Sequence, residues 1–166
     1  MLVSVKAQYS VLMSVYHKER AEYLKQSIES IQNQTIPTND FVLVCDGALT
    51  PELDAVIASK QQEMGNILNV VRLAKNGGLG NALNEGIKHC KNELVARMDS
   101  DDISAADRCE KQVKLFEKNP ELDIASGALL EFVTSPNQIT GGRKFHAAMM
   151  ILWVTLGNGV LLIIPV

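Results

Sequence analysis

Asp99, Asp101 and Asp102 place three carboxylates in four consecutive positions, directly after the apolar run Leu94-Val95-Ala96. Carboxylates this crowded repel one another and resist desolvation, so a chain that sets them at the mouth of a buried strand usually has a cation to offset them. The chemistry suggested is a divalent metal bound to a phosphate. Asp46-Gly47 follows a second apolar run, Phe41 to Cys45, and Asn76-Gly77-Gly78-Leu79-Gly80 is too glycine-rich for regular structure. His17, His89 and His146 have no metal-ligand spacing among themselves and read as structural or solvated.

The elements that must position these residues alternate. Tyr9 to Val15 is a short apolar, β-branched run, and Leu24, Ile28 and Ile31 recur after it at helical spacing. Phe41 to Cys45 reads as a buried strand. Pro51 opens a helix whose one face carries Leu53, Val56, Ile57, Lys60 and Met64, with Gly65 as its stop. A third strand is predicted from Ile67 to Leu73, followed by a helix with Leu79, Leu83, Ile87 and Cys90 on one face. Glu93 to Met98 is the fourth strand, and the acidic cluster is the loop after it. Ser104-Ala105-Ala106-Asp107 resembles a capping box before a helix striped by Ala106, Cys109, Val113 and Phe116. Leu122 to Val133 is predicted as one further strand, kinked at Gly127.

Strands alternating with helices imply right-handed crossovers and a mostly parallel sheet covered on both faces. In a Rossmann-like order the first and fourth strands are neighbours, and ligands sit outside the carboxyl ends where strand order reverses. The ends carrying Val15-Tyr16-His17, Asp46-Gly47 and Asp99 to Asp102 are therefore expected to face one crevice. Composition bounds the rest. With 166 residues, 46% hydrophobic and 21% charged, the chain can fold around a real core. A net charge of -3 with no Lys/Arg cluster excludes a nucleic-acid-binding surface. Cys45, Cys90 and Cys109 lack CxxC spacing and read as buried reduced thiols of a cytoplasmic protein. The N-terminus lacks a signal-peptide pattern.

Four segments taken together, "VLMSVYHKERAEYLKQSIESIQNQT", "VLVCDG", "KNGGLGNALNEGI" and "NELVARMDSDDISAADRCEKQ", resemble a family 2 glycosyltransferase of bacterial polysaccharide or lipopolysaccharide synthesis, from about Tyr9 to about Glu131. The resemblance implies an α/β, Rossmann-like GT-A nucleotide-diphospho-sugar transferase fold with an incomplete C-terminal part. It implies a nucleotide-sugar-binding half domain over residues 1–134 and an atypical apolar tail over 135–166. By the same resemblance, Asp99 lies near the ribose and Asp101, with Asp99, binds Mg²⁺ or Mn²⁺ on the donor diphosphate. Val15, Tyr16, Asn76, Gly78 and Ser100 border the nucleotide, and Asp46 hydrogen-bonds the base. Cys45 stands where the family usually has another Asp, and Ala48 where it has Ser, which puts the base-reading edge in doubt. For Asp46 a plain turn residue is the alternative, since Asp-Gly is a common turn pair.

The activity implied is metal-dependent transfer of a sugar from a nucleotide-diphosphate donor, such as a UDP-sugar, to a glycan or lipid-linked acceptor in cell-surface polysaccharide synthesis. The expected location is cytoplasmic or at the inner face of the membrane, with peripheral membrane association and a homodimer left open. A phosphohydrolase of the haloacid-dehalogenase type would carry its paired aspartates after the first strand, where Val15-Tyr16-His17 stands instead. The catalytic residue is not identified. Family members use an Asp or Glu well downstream as acceptor base, and no Asp or Glu follows Glu131 here. Such proton removal contributes about 10²–10⁴ in rate, so the alternative is a nucleotide-binding fragment or pseudoenzyme. Ala147 to Val166 are twenty uncharged residues. They read as a hairpin or sheet-closing segment around Gly157-Asn158-Gly159, the tail of a truncated or frameshifted gene, or a membrane segment.

Overall fold

The computed structural model describes residues 8–133, 138–143 and 161–163. Four βα units open the chain: β1 (Tyr9–Val15), α1 (Ala21–Gln32), β2 (Asp40–Cys45), α2 (Pro51–Met64), β3 (Leu68–Arg72), α3 (Leu79–Gly86), β4 (Leu94–Asp99) and α4 (Arg108–Lys118). β5 (Ile124–Ala125), β6 (Leu129–Phe132), β7 (Ile139–Arg143) and β8 (Leu161–Ile163) follow. The main sheet has the order β3-β2-β1-β4-β8-β5 and every pairing in it is parallel. β1 thus lies between β2 and β4, as the Rossmann-like order predicts.

Side chains alternate across this sheet with period 2, and each face has its own core. Val11, Met13, Val15, Phe41, Leu43, Ala96 and Met98 pack on one face with Leu24, Ile28 and Ile31 of α1, Leu53 and Ile57 of α2, and Val113 and Phe116 of α4. Leu12, Val42, Val44 and Val95 pack on the other with Ala82, Leu83 and Ile87. Lys60 sits on the apolar face of α2 because its buried ammonium donates to Glu29 (3.0 Å), Gln32 (3.0 Å) and Glu63 (2.8 Å), stitching α2 to α1. Thr50 caps α2 by accepting from the Leu53 amide at 3.3 Å, and Gly65 ends it at φ 56°.

Three expectations are corrected. Leu122 to Val133 is two strands in different sheets: β5 joins the parallel sheet, and β6 pairs antiparallel with β7. Residues 126–128 around Gly127 make no ladder and redirect the chain. β7, Ile-Thr-Gly-Gly-Arg, carries no strand signal because two of its five residues are glycine. Second, Ser104 to Asp107 form no capping box: Asp107 is the N-cap without a side-chain bond, and the Ser104 hydroxyl is taken by Gln34. Third, α3 buries Ala82 and Gly86, while Leu79 is 50% exposed.

Of the C-terminal tail, residues 161–163 form β8, a parallel strand between β4 and β5. The proposed hairpin around Gly157-Asn158-Gly159 and His146 lie outside the described residues. Among the described residues no helix is long and apolar enough to cross a membrane. Cys45 and Cys109 are buried and Cys90 is half-buried, all as free thiols.

α3 approaches the sheet closely because Gly86 has no side chain. A Cβ there would stand 2.5 Å from Leu12 Cδ1 and 2.6 Å from Val44 Cγ2, both on core residues without room to move. Overpacking costs about 1–3 kcal/mol and the better helix propensity of alanine returns at most about 1 kcal/mol. Gly86→Ala is expected to lower the thermal midpoint by about 3–6 °C; an unchanged or raised midpoint would contradict this packing. Burial pushes the Cys45 thiol up to about 11, against a smaller opposing pull from Arg72. The stability held by the neutral thiol is complete below the ordinary thiol pKa of about 8.5 and is lost as pH rises through 11. In urea titrations at pH 8 and pH 10.5, the wild-type chain should lose more stability than Cys45→Ala; parallel losses would refute the point.

Candidate functional site

The carboxyl ends of β1, β2 and β4 open into one cleft of about 400 Å³. Parallel pairing brings them together: Val15 registers with Cys45, and Ser14 with Asp99. The Asp46 amide then donates to the Val15 carbonyl at 2.8 Å, which extends the β1–β2 ladder one step into the site.

The β2 end and the turn before α3 interlock. Asp46 is 4% exposed, and its Oδ1 and Oδ2 accept from the amides of Gly77 (2.8 Å) and Gly78 (2.9 Å). Asn76 Nδ2 donates to the Asp46 carbonyl at 3.2 Å. Gly47 has φ 86°, and a Cβ on it would lie 2.7 Å from the Asn76 amide nitrogen, so only glycine lets the two loops meet.

The acidic loop is braced from behind. Ser27 Oγ of α1 donates to the Asp99 carbonyl at 2.8 Å, and Ser100 Oγ donates to Glu19 Oε2 at 3.0 Å. The Arg97 guanidinium pairs with Asp99 Oδ1. Arg108, half-buried, donates to the Arg97 carbonyl at 2.9 Å and to Gln112 at 3.1 Å. Both arginines therefore brace the loop, and neither is an ordinary exposed salt-bridge residue. Burial raises the Asp99 pKa above the usual carboxylate range; Arg97 opposes this and Asp101 adds to it. Burial also raises Asp102, with Asp101 and Asp99 adding repulsion. The Asp101 carboxylate is exposed and makes no hydrogen bond or ion pair among the described residues.

Among the described residues, Glu19, Asp46, Asp99 and Asp101 line the cleft together, and no Lys or Arg does. The family model for glycosyl transferase family 2 matches residues 10–158. The chain belongs to that family. The match runs past Glu131, where the motifs read from the sequence end. An amylovoran biosynthesis glycosyltransferase, AmsE of Erwinia amylovora, is 43% identical over 126 residues, covering 75% of this chain and 46% of that protein. The UDP-Gal:alpha-D-GlcNAc-diphosphoundecaprenol beta-1,3-galactosyltransferase of Escherichia coli is 37% identical over 129 residues, 78% of this chain and 46% of that one. The chain spans about half the length of these curated relatives. Among solved structures, S. aureus TarS 1-349 in complex with UDP-GlcNAc superposes with TM-score 0.61 at 26% identity, over 72% of this chain and 34% of that one. The parallel β3-β2-β1-β4 sheet flanked by helices is the GT-A glycosyltransferase architecture.

In this family 2 chain Val15, Tyr16, Asp46, Asn76, Gly78, Asp99, Ser100 and Asp101 all border the one cleft. His17 is exposed and packs edge-on against Tyr16, with ring centroids 5.7 Å apart. Sequence reasoning missed Ser14, Glu19 and Leu79 as lining residues. The available signal for Glu19 was its place in the loop after β1, outside a carboxyl strand end. It also missed Gln34, 6% exposed, which holds the far side of the acidic loop. Gln34 Nε2 donates to the carbonyls of Ser30 (3.0 Å) and Ala105 (2.8 Å) and to Ser104 Oγ (3.2 Å), while its Oε1 accepts from the Cys109 amide at 2.9 Å. Gln34→Leu would strand these buried groups, each at about 1–3 kcal/mol when left unpaired. The expected result is a urea midpoint lowered to match and faster amide exchange over residues 104–109; wild-type values for both would show that Gln34 does not hold the loop.

Proposed function

We propose that this chain forms the donor-binding part of a glycosyltransferase that moves a sugar from a nucleoside-diphosphate donor to a glycan or lipid-linked acceptor in cell-surface polysaccharide synthesis. The observation that carries the reading is the charge of the cleft: among the described residues, four carboxylates and no cationic side chain line it. A diphosphate does not enter such a site alone, because like charges at a few ångströms in a partly desolvated cleft repel strongly. A divalent cation resolves the conflict. The donor set suits Mg²⁺ or Mn²⁺, which prefer carboxylate oxygens. Asp101, unpartnered among the described residues, and the Asp99 oxygen not held by Arg97 would hold it. Among the described residues no three such side chains converge as a metal centre by themselves, so phosphate oxygens would complete the coordination. When bound, the ion supplies Lewis-acid neutralisation of the departing diphosphate.

The chain's own residues bind and orient the donor. Tyr16, 42% exposed at the rim, offers a face to the base. The Asn76-Gly77-Gly78 turn lets backbone approach the nucleotide closely. The E. coli relative is named for a UDP-sugar donor and a diphosphoundecaprenol-linked acceptor, and TarS binds UDP-GlcNAc; both support a UDP-sugar for this chain, and the E. coli relative supports a lipid-linked acceptor. A cytoplasmic site of action, at the inner face of the membrane, follows from such an acceptor. A second reading is nucleotide binding without turnover.

Isothermal titration with UDP in the presence and absence of Mn²⁺ tests the donor site. Binding is expected to require Mn²⁺ and to weaken at least about tenfold in Asp101→Ala, about 1.4 kcal/mol. No binding, or binding indifferent to Asp101→Ala, would refute the metal–diphosphate site. Release of UDP from a UDP-sugar by the wild-type chain, lost in the variant, would decide against the binding-only reading.

A further inference from the structure

Arg97 is the one basic residue of β4, and it does not line the cleft. It registers with Leu12 of β1, a buried member of the smaller core. Val95 packs into that core, and Arg97 follows it on the same face, because side chains two apart in a strand point the same way. An apolar side chain would suit such a position. The chain instead carries a guanidinium whose side chain is 17% exposed and whose Nε is buried without a partner. Burying it in this way is unfavourable unless something offsets the loss of water.

The offset is a single contact. Among the described residues the only side-chain hydrogen bond of Arg97 to a carboxylate runs from Nη2 to Asp99 Oδ1. Asp99 lies two residues further on, on the same face, and it does line the cleft. Its backbone is fixed separately, since Ser27 Oγ donates to the Asp99 carbonyl at 2.8 Å. Removing the Arg97 side chain therefore frees the Asp99 carboxylate and leaves the strand end in place. Resting on the donor-site reading, we infer that Arg97 is a positioning residue: by occupying Oδ1 it fixes the direction of Oδ2, the oxygen the site offers to a cation on the diphosphate.

Two simpler roles predict different behaviour. A guanidinium beside a cation site repels the cation, so if Arg97 were only a counter-charge its removal would tighten binding. If it were only structural, its removal would act equally with and without the Asp99 carboxylate. A positioning residue acts through Asp99 alone, and partners that hold a metal-binding carboxylate are typically worth about 10–100-fold in affinity.

Titrations with UDP in the presence of Mn²⁺ on Arg97→Gln, Asp99→Asn and the double variant separate these roles, with circular dichroism confirming that each is folded. Arg97→Gln should raise the Kd by about tenfold even though it removes a repelling charge. In the Asp99→Asn background the same substitution should change the Kd by less than about twofold, because the two losses share one interaction. Unchanged or tighter binding in Arg97→Gln would overturn the inference, and so would equal losses with and without the Asp99 carboxylate. If Arg97→Gln does not fold, Arg97→Lys keeps the charge but not the planar fork, and should weaken binding by about threefold; wild-type affinity there would count against positioning. Failure of the wild-type chain to bind UDP with Mn²⁺ would overturn the donor-site reading and this inference with it, whereas wild-type binding that Arg97→Gln leaves intact would overturn this inference alone.

Discussion

Repulsion among the carboxylates of one cleft is the constraint around which the site is organised. Glu19, Asp46, Asp99 and Asp101 come from three different loops, and each loop would relax away from the others if nothing held it. Three of the four are restrained by donors within the protein. Arg97 holds Asp99, the Ser100 hydroxyl holds Glu19, and the Gly77 and Gly78 amides hold Asp46. These donors differ in cost. Backbone amides lose little entropy when they bind an anion, whereas Arg97 gives up a long flexible side chain and leaves its Nε buried without a partner. Of the four, Asp101 alone has no such donor among the described residues, and it is the carboxylate to which the proposed cation would bind.

Much of this was legible in the sequence because it depends on order along the chain. The alternation of apolar runs with helical stripes dictated the parallel sheet, and the sheet dictated that Tyr16, Asp46 and Asp99 meet. What was not legible depends on contacts between residues far apart in sequence. Gln34 reads as one polar residue in a polar turn until the loop at 104–109 packs against it. Ser104 reads as a helix cap, but the same glutamine competes for its hydroxyl and wins. Leu79 reads as a core residue by helical spacing, yet it begins the helix at the rim of the cleft, where the core has already ended. The break between β5 and β6, and the strand β7, escaped because β5 has two residues and β7 is glycine-rich, so neither shows a period.

The two faces of the sheet divide the work unequally. Three helices cover one face and bury most of the apolar side chains there, including Phe41, Met13 and Met98. The other face is covered by α3, through a smaller cluster centred on Leu12, Val44 and Ala82. That economy is tolerable because Gly86 lets α3 lie so close that Leu12 and Val44 touch its backbone. The close approach also has a geometric consequence. α3 spans only Leu79–Gly86, so the glycine that sets its depth is about two turns, roughly 10 Å, from the residues that line the cleft. A helix this short transmits a shift at one end to the other with little bending. The packing of the minor core and the position of the turn that Asp46 clamps are therefore one structural variable, fixed at one end by the absence of a methyl group and at the other by a carboxylate.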